Sequence, residues 1–226
     1  MMLLRKPSDE EIRAYLARQT TEEFSYSQIG CTEAAGATKW PGWNRDQERV
    51  LLGRGAAVFE SGKQAIRQWR MFPGEVAKLC WPDCPLTVGA AVVVLYRTYP
   101  PLLWMLFPAR IVYTLHETVQ RSDEAVERFG FAYGTVADHP EQGEERFLVE
   151  WNRTTDEVHY DLLAISRPVH WLARLGYAYT RYEQGRFRRL SCAAMQRAVT
   201  SEALSVDPQT AICSSEGVGL ATVDEG

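Results

Sequence analysis

Two carboxylates stand where charged side chains are costly. Glu150 lies in Phe147-Leu148-Val149-Glu150-Trp151 and Asp161 in Tyr160-Asp161-Leu162-Leu163, each flanked by apolar residues in a segment with strand-like alternation. A carboxylate drawn into a dehydrated sheet face has its charged form disfavoured, so it can carry a proton near neutrality. A second reading is open, because half-exposed strands carry such charges on their wet face. Alternation sets Glu150 opposite Phe147, Val149 and Trp151, and sets His159 and Asp161 together opposite Tyr160. Tyr113 and Tyr133 could orient a carbonyl or hydroxyl in an apolar pocket without burying a charge; the commoner role is a core aromatic with its hydroxyl satisfied at the rim. The candidate catalytic residues are therefore Glu150, Asp161, Tyr113 and Tyr133, and the candidate ligand contacts are Arg110, Phe131, Trp151, Tyr160 and Tyr179.

The densest polar cluster is residues 137–145, ADHPEQGEE. One reading puts His139 or Glu145 at a pocket mouth as acid or base. The other, which the composition favours, is a turn whose Pro and Gly set backbone angles while its carboxylates are solvated. No metal site is expected: His116, His139, His159 and His170 are scattered, and Cys80-x-x-x-Cys84 lacks a second pair. No Gly-x-Ser-x-Gly or local catalytic-cysteine signature occurs, and Gly53-Arg54-Gly55 lacks phosphate-loop spacing. No cofactor is implied. Arg186-x-Arg188-Arg189 reads as a solvated helix face.

The elements that must position these residues follow from periodicity. Ser8 with Glu11 forms a capping-box signature for a helix ending near Gln19-Thr20. A short strand is expected near Val50–Leu52 and a helix over Ala56–Trp69. Strands follow at Ala90–Tyr99, Arg110–Glu117 and Phe129–Val136, where Gly130, Ala132 and Gly134 form a small-residue face that permits curvature or close backbone approach. Residues 137–144 read as the next turn. Glu145–Trp151 and Glu157–Ser166 then make a hairpin about Asn152–Asp156. A helix over Val169–Val199 follows Pro168, with Leu172, Leu175, Tyr179, Tyr182, Phe187, Leu190, Ala194 and Ala198 towards its buried side. Adjacent strands without intervening helices argue for an α+β fold, a curved antiparallel sheet wrapped around that long C-terminal helix. The domain organisation is a helical extension at 1–20, one domain at 21–199 and an acidic, disordered tail at 200–226.

Charge excludes some partners. Of the net −4, residues 200–226 carry −5, which leaves 25 basic against 24 acidic residues before them. That is no footprint for nucleic acid. The apolar run at 101–107 falls far short of the roughly 20 residues that span a bilayer. Five cysteines, an odd number with no signal peptide ahead of them, read as reduced thiols in a cytoplasmic protein. Nothing in the composition sets an oligomeric state.

With these elements placed, residues 24–199 resemble the domain of unknown function 1990 family, also called UPF0548. The resemblance is carried by FGFAYGTVADHPEQGEERFLVEW, YDLLAISRP, LARLGYAYTRYEQGRFRR and AAMQRAV, with FSYSQIG, RVLLGRG and ARIVYTLHE before them. The architecture is also similar to the helix-grip (SRPBCC) superfamily of START lipid-transfer domains, pollen-allergen-like proteins and polyketide cyclases. That resemblance implies a hydrophobic cavity between sheet and helix, a lipid or polyketide-like ligand, and, for some members, cyclisation or dehydration inside it. Cofactor-free ring closure such as spiroketal formation is thus the leading expectation. A non-catalytic lipid or metabolite binder is the alternative, and an interaction protein with a filled core is the third. This chain has Pro108-Ala109-Arg110 and Arg189-Leu190-Ser191 where family members often have Pro-Cys-Arg and Arg-Asp-Ser, a departure that implies a different ligand.

Overall fold

The computed structural model describes residues 1–33, 40–81, 84–98, 101, 103–121, 124–169 and 176–205. The elements in chain order are β1 (Met2–Leu3), α1 (Asp9–Gln19), β2 (Asn44–Arg54), α2 (Ala56–Arg67), β3 (Ala77–Leu79), β4 (Ala91–Arg97), β5 (Trp104–Arg121), β6 (Glu124–Thr135), β7 (Glu141–Asn152), β8 (Glu157–Pro168) and α3 (Tyr177–Ser205). One antiparallel sheet runs in the order β2-β8-β7-β6-β5-β4-β3, and β1 pairs with β5. Strands β3 to β8 are a meander, and β2 closes the edge beside β8. Register shifts at Leu51/Gly53 and Ile111/Tyr113 mark bulges, which bend and twist a sheet. The curled sheet grips α3, as the helix-grip reading of the sequence expects.

The two faces differ in what covers them. The inner face carries Phe129, Phe131, Phe147, Val149, Trp151, Tyr160 and Leu162, packed with α2 residues Phe59 and Ile66 and α3 residues Cys192, Met195 and Ala198. Val93, Leu95 and Leu106 on the outer face meet Ile12 and Tyr15 of α1. The Ser8–Glu11 capping box that starts α1 is formed in both directions. Sheet curvature also needs Gly130, because a Cβ there would lie 2.1 Å from the Phe147 carbonyl oxygen. At Gly134 a Cβ would lie 2.1 Å from the Tyr26 hydroxyl, so the loop carrying Tyr26 can lie flat on the sheet.

Several boundaries differ from the sequence reading. Strand β2 spans Asn44–Arg54 and is much longer than Val50–Leu52. Its polar residues masked it: one edge faces β8 while its side chains alternate between partly covered and exposed. Strand β5 spans Trp104–Arg121 and runs through Pro108, so the apolar run and the strand after it are one element. Strand β7 begins at Glu141, which shortens the turn after β6. Helix α2 ends at Arg67, and Trp69 follows with a φ of 57°. In α3, Tyr179 and Tyr182 are 44% and 49% exposed, not on the buried side, whereas Ser191, Cys192 and Met195 are buried. Helix α3 runs over Tyr177–Ser205, so the first residues of the expected tail at 200–226 are helical; Leu172, Leu175 and residues 206–226 lie outside the described residues. Among the described residues no helix is long and apolar enough to cross a membrane.

Candidate functional site

A cavity of about 970 Å³ lies between the inner face of the sheet and the first turns of α3 and extends to Met1, Met2, Tyr15 and Arg18. Phe72, Val94, Met105, Phe107 and Phe187 supply apolar wall, and Tyr133, His139, Glu141, Glu145, Ser166 and Gln184 supply a polar end. The period of two along β7 explains that end. Glu141, Gly143 and Glu145 share the face of Phe147 and Val149, so the carboxyls continue the core stripe into the cavity.

Each inner-face carboxyl has its own partner. Tyr133 stands directly across from Glu145 in the β6–β7 register, and its hydroxyl donates to Glu145 Oε2 at 2.6 Å. Burial pushes the Glu145 carboxyl up to about 7 despite that hydrogen bond and the nearby Arg188. The Gln184 amide donates to both Glu141 oxygens at 2.8 Å, and burial again holds that carboxyl above its ordinary range. Tyr96 donates to Glu183 at 2.5 Å, and Arg181 binds both oxygens of Asp46. These last contacts tie α3 to the sheet. Arg188 lies 3.5 Å from Asp46 and Arg186 lies 3.5 Å from Glu183, so these two are engaged with carboxylates, while Arg189 is exposed as a solvated-face residue.

The outer face has a different chemistry. Glu150 is 2% exposed and accepts from Arg49 and Arg121, with Arg128 at 3.4 Å. Burial opposes its charge, but the Arg49 and Arg121 guanidiniums outweigh burial and hold the carboxyl below its usual range. Asp161 accepts from Arg146 at 2.9 Å and from Gln47 at 2.6 Å. Tyr113 shares a hydrogen bond of 2.7 Å with Thr32, whose hydroxyl and amide both reach Glu144. Glu144 also accepts from Tyr26 at 2.8 Å and from the Gly30 amide at 2.9 Å, which pins the loop after α1 to the sheet.

Of the four candidate catalytic residues, the structure therefore brings only Tyr133 to the cavity. Glu150, Asp161 and Tyr113 are corrected in placement: alternation turns the two carboxylates outward, and the bulge at Ile111/Tyr113 puts Tyr113 beside Leu115, Ala132 and Leu148 on the outer face. Arg110 also points outward, with its guanidinium donating to the carbonyls of Gln19, Thr20 and Glu22. Among the other candidate ligand contacts, Phe131 is fully buried with its ring 4.8 Å from Trp69 and 5.3 Å from Phe147. Trp151 packs on Phe59 and donates to Asp156, and the buried Tyr160 shares a hydrogen bond of 2.9 Å with Ser191. These three are inner-face residues built into solid core. Tyr179 does line the cavity. His139 and Glu145, which turn composition favoured as solvated, are cavity residues; carrying the Phe147 alternation back to Glu141 finds Glu145 and Glu141, whereas His139 lies in the turn before β7.

The family model described as domain of unknown function DUF1990 matches residues 25–194. The chain belongs to the DUF1990 family. It is 35% identical over 214 residues to a UPF0548 protein of Dictyostelium discoideum, covering 89% of this chain and 97% of that one. A UPF0548 protein of Arabidopsis thaliana is 31% identical over 153 residues, covering 68% and 72% respectively. Solved structures that align with the chain include a hypothetical protein of Helicobacter pylori (TM-score 0.43, 12% identity, 72% of this chain and 95% of that one). Human STARD10 aligns with a TM-score of 0.36 at 10% identity, over 89% of this chain and 83% of that one. The DUF1990 match encloses Tyr133, His139, Glu141, Glu145 and Gln184, so the polar end of the cavity belongs wholly to the family region. Ala109 lines the cavity and Leu190 packs against the inner core.

Among the described residues no group of three or more His, Cys, Asp or Glu is placed to hold a metal ion. Cys31, Cys80, Cys84 and Cys192 are free, and burial raises each thiol, to about 12 for Cys31 and about 11 for Cys80 and Cys192. None of the four has the depressed pKa of an activated nucleophile.

Proposed function

We propose that this chain binds an apolar small molecule between sheet and α3 and closes a ring in it with loss of water, without a cofactor. The substrate class is a polyketide-like dihydroxy ketone, one hydroxyl of which adds across the C=O to give the cyclic hemiketal before water is lost. The observation that carries this reading is Glu145, a carboxyl titrating at about 7 in the wall of a cavity of about 970 Å³. A general acid–base group works best when its pKa lies near the working pH.

In this reading the neutral Glu145 carboxyl protonates the departing hydroxyl of a hemiketal, which leaves as water. The carboxylate then takes the proton of the attacking hydroxyl as the new C–O bond forms. One C–O bond breaks, one forms, and the carboxyl returns to its starting state. Tyr133 is a positioning residue that fixes Glu145 by its hydrogen bond. Walls such as Phe72, Phe107 and Phe187 fold the flexible chain so that attacking oxygen and carbon meet. Ala109 in place of a polar side chain leaves that wall apolar.

A non-catalytic carrier is the second reading. It is favoured by the pairing of Glu141, Glu183 and Asp46 with Gln184, Tyr96 and Arg181, which commits much of the polar end to holding α3. An achiral dihydroxy ketone separates the two readings. Its closure to a spiroketal is followed by mass spectrometry, as loss of one water, and by chiral chromatography. Faster closure with one enantiomer in excess supports the enzyme, while binding with a racemate formed at the background rate leaves the carrier. If the ketone neither binds nor reacts, both readings fail.

A further inference from the structure

We infer that the polar end of the cavity recognises a neutral oxygen function, a ketone, ester or hydroxyl, through Nε2 of His139, and rejects carboxylate and phosphate head groups. The inference rests on reading the cavity as a ligand site. It adds the kind of head group the ligand carries and the atom that meets it.

His139 lies in the turn joining β6 to β7, next to Asp138, whose φ of 65° places it in the left-handed region. The imidazole leans on Phe107, with ring centroids 5.0 Å apart. Its Nδ1 sits 3.1 Å from the Glu141 amide nitrogen and 2.9 Å from the Glu141 carbonyl oxygen. Residue 141 stands opposite Pro168 at the end of the β7–β8 ladder, and a proline has no N–H to give the Glu141 carbonyl. The backbone therefore satisfies Nδ1 in either neutral tautomer, as acceptor or as donor. Nε2 remains, in a ring that lines the cavity, and no described residue meets it. A ligand oxygen that reaches Nε2 adds a hydrogen bond there. Nε2–H donates to a carbonyl in one tautomer, and bare Nε2 accepts from a hydroxyl in the other.

The surroundings select against negative charge. Burial keeps the ring neutral, pushing it down to about 4. Asp46 is matched by Arg181 and Arg188, and Glu183 faces Tyr96 and Arg186. Glu141 and Glu145 have neutral hydrogen-bond partners and are themselves held towards the uncharged form. An anionic head would face Asp138, Glu141, Glu145 and Glu183; the cationic lining groups are Arg18, Arg188 and the Met1 ammonium, which acts on His139 but donates to the Leu106 carbonyl and faces Asp138. Arg188 already serves Asp46.

The test uses the full chain and five ten-carbon probes, methyl octyl ketone, decanol, decanoate, decylamine and decane, each displacing Nile red at pH near 7.5. The ketone and the alcohol are expected to bind at least about tenfold more tightly than decanoate, equivalent to about 1.4 kcal/mol, while decylamine, which meets the carboxyls, should bind more tightly than decanoate. His139→Phe, which keeps a ring against Phe107, should weaken ketone and alcohol about tenfold, the size of one hydrogen bond, relative to decane, which carries no oxygen. In the unsubstituted protein, ¹⁵N-labelled imidazole should show the His139 Nε2 resonance moving on ketone addition. That readout stands even if the variant folds poorly. An unmoved Nε2 at saturating ketone overturns the inference, as does decanoate binding equal to ketone. If Nile red and all five probes fail to bind, the ligand-site reading itself falls.

Discussion

Glu145 and Glu150 lie on the same strand, point to opposite faces of it, and have become chemically opposite groups. Glu145 looks into the cavity and is met by a phenol, and burial leaves it near neutrality. Glu150 is buried under the guanidiniums of Arg49, Arg121 and Arg128, which keep it charged. The charge of the partner, more than burial alone, decides which carboxylate can move a proton and which one clamps strands together. The clamp extends along the outer face. Arg49 also approaches Asp161 at 3.6 Å, and Asp161 holds the buried Arg146.

The comparison predicts its largest effect at that clamp. Asp161→Ala leaves Arg146, 8% exposed, without its counter-charge, and should cost about 3–5 kcal/mol in urea or thermal unfolding. A loss below about 1 kcal/mol, the range of exposed pairs, would mean the outer face is not a buried ionic lattice. Across the sheet, Glu145→Gln should behave in the reverse way. The fold should be kept and ligand still bound, while ring closure slows by at least about 100-fold, the lower end for loss of a general acid–base group. Full turnover in Glu145→Gln would remove Glu145 from the mechanism.

How much of this was legible in the residues depends on the face. Alternation along 147–151 and 157–166 already set Phe147, Val149 and Tyr160 against Glu150 and Asp161, and the hairpin pairs as expected. Phe131 and Tyr160 could be assigned to the inner side, but a strand pattern cannot distinguish cavity wall from solid core. That depends on Trp69 and Ser191, which arrive from distant segments. The cavity carboxyls were hidden for a related reason. His139, Glu141 and Glu145 have turn composition, and only the register with β6 and β8, with α3 laid across, converts them from solvated to enclosed. The outward turn of Tyr113 required a bulge that no residue type announces.

The two carboxylates should also give stability opposite dependences on pH. For Glu145 the folded value, about 7, lies above the unfolded one, so the native state holds the extra proton. Its contribution is complete below the unfolded pKa and is lost as pH rises towards 7, with a limiting slope of about 1.4 kcal/mol per unit. Glu150 is depressed, so its contribution is present above the unfolded pKa and disappears as pH falls through the folded one. Glu145→Gln should flatten the first limb of a stability–pH curve and leave the acid limb. Loss of both limbs together would mean the faces are not independent.

The finest test concerns the phenol. The Tyr133 hydroxyl donates to Glu145 and so favours its ionised form, working against burial. Tyr133→Phe removes a hydrogen bond worth about 0.5–1.5 kcal/mol and should raise the Glu145 midpoint further, by about half a unit to one unit. Carboxyl ¹³C chemical shifts in the labelled protein would read that midpoint directly, and the pH profile of ring closure should move by the same amount. The shift is small because a neutral donor can only adjust a carboxyl that burial has already placed. A downward shift would mean that Tyr133 stabilises the protonated acid, and that a charge other than the phenol sets the pKa of the inner face.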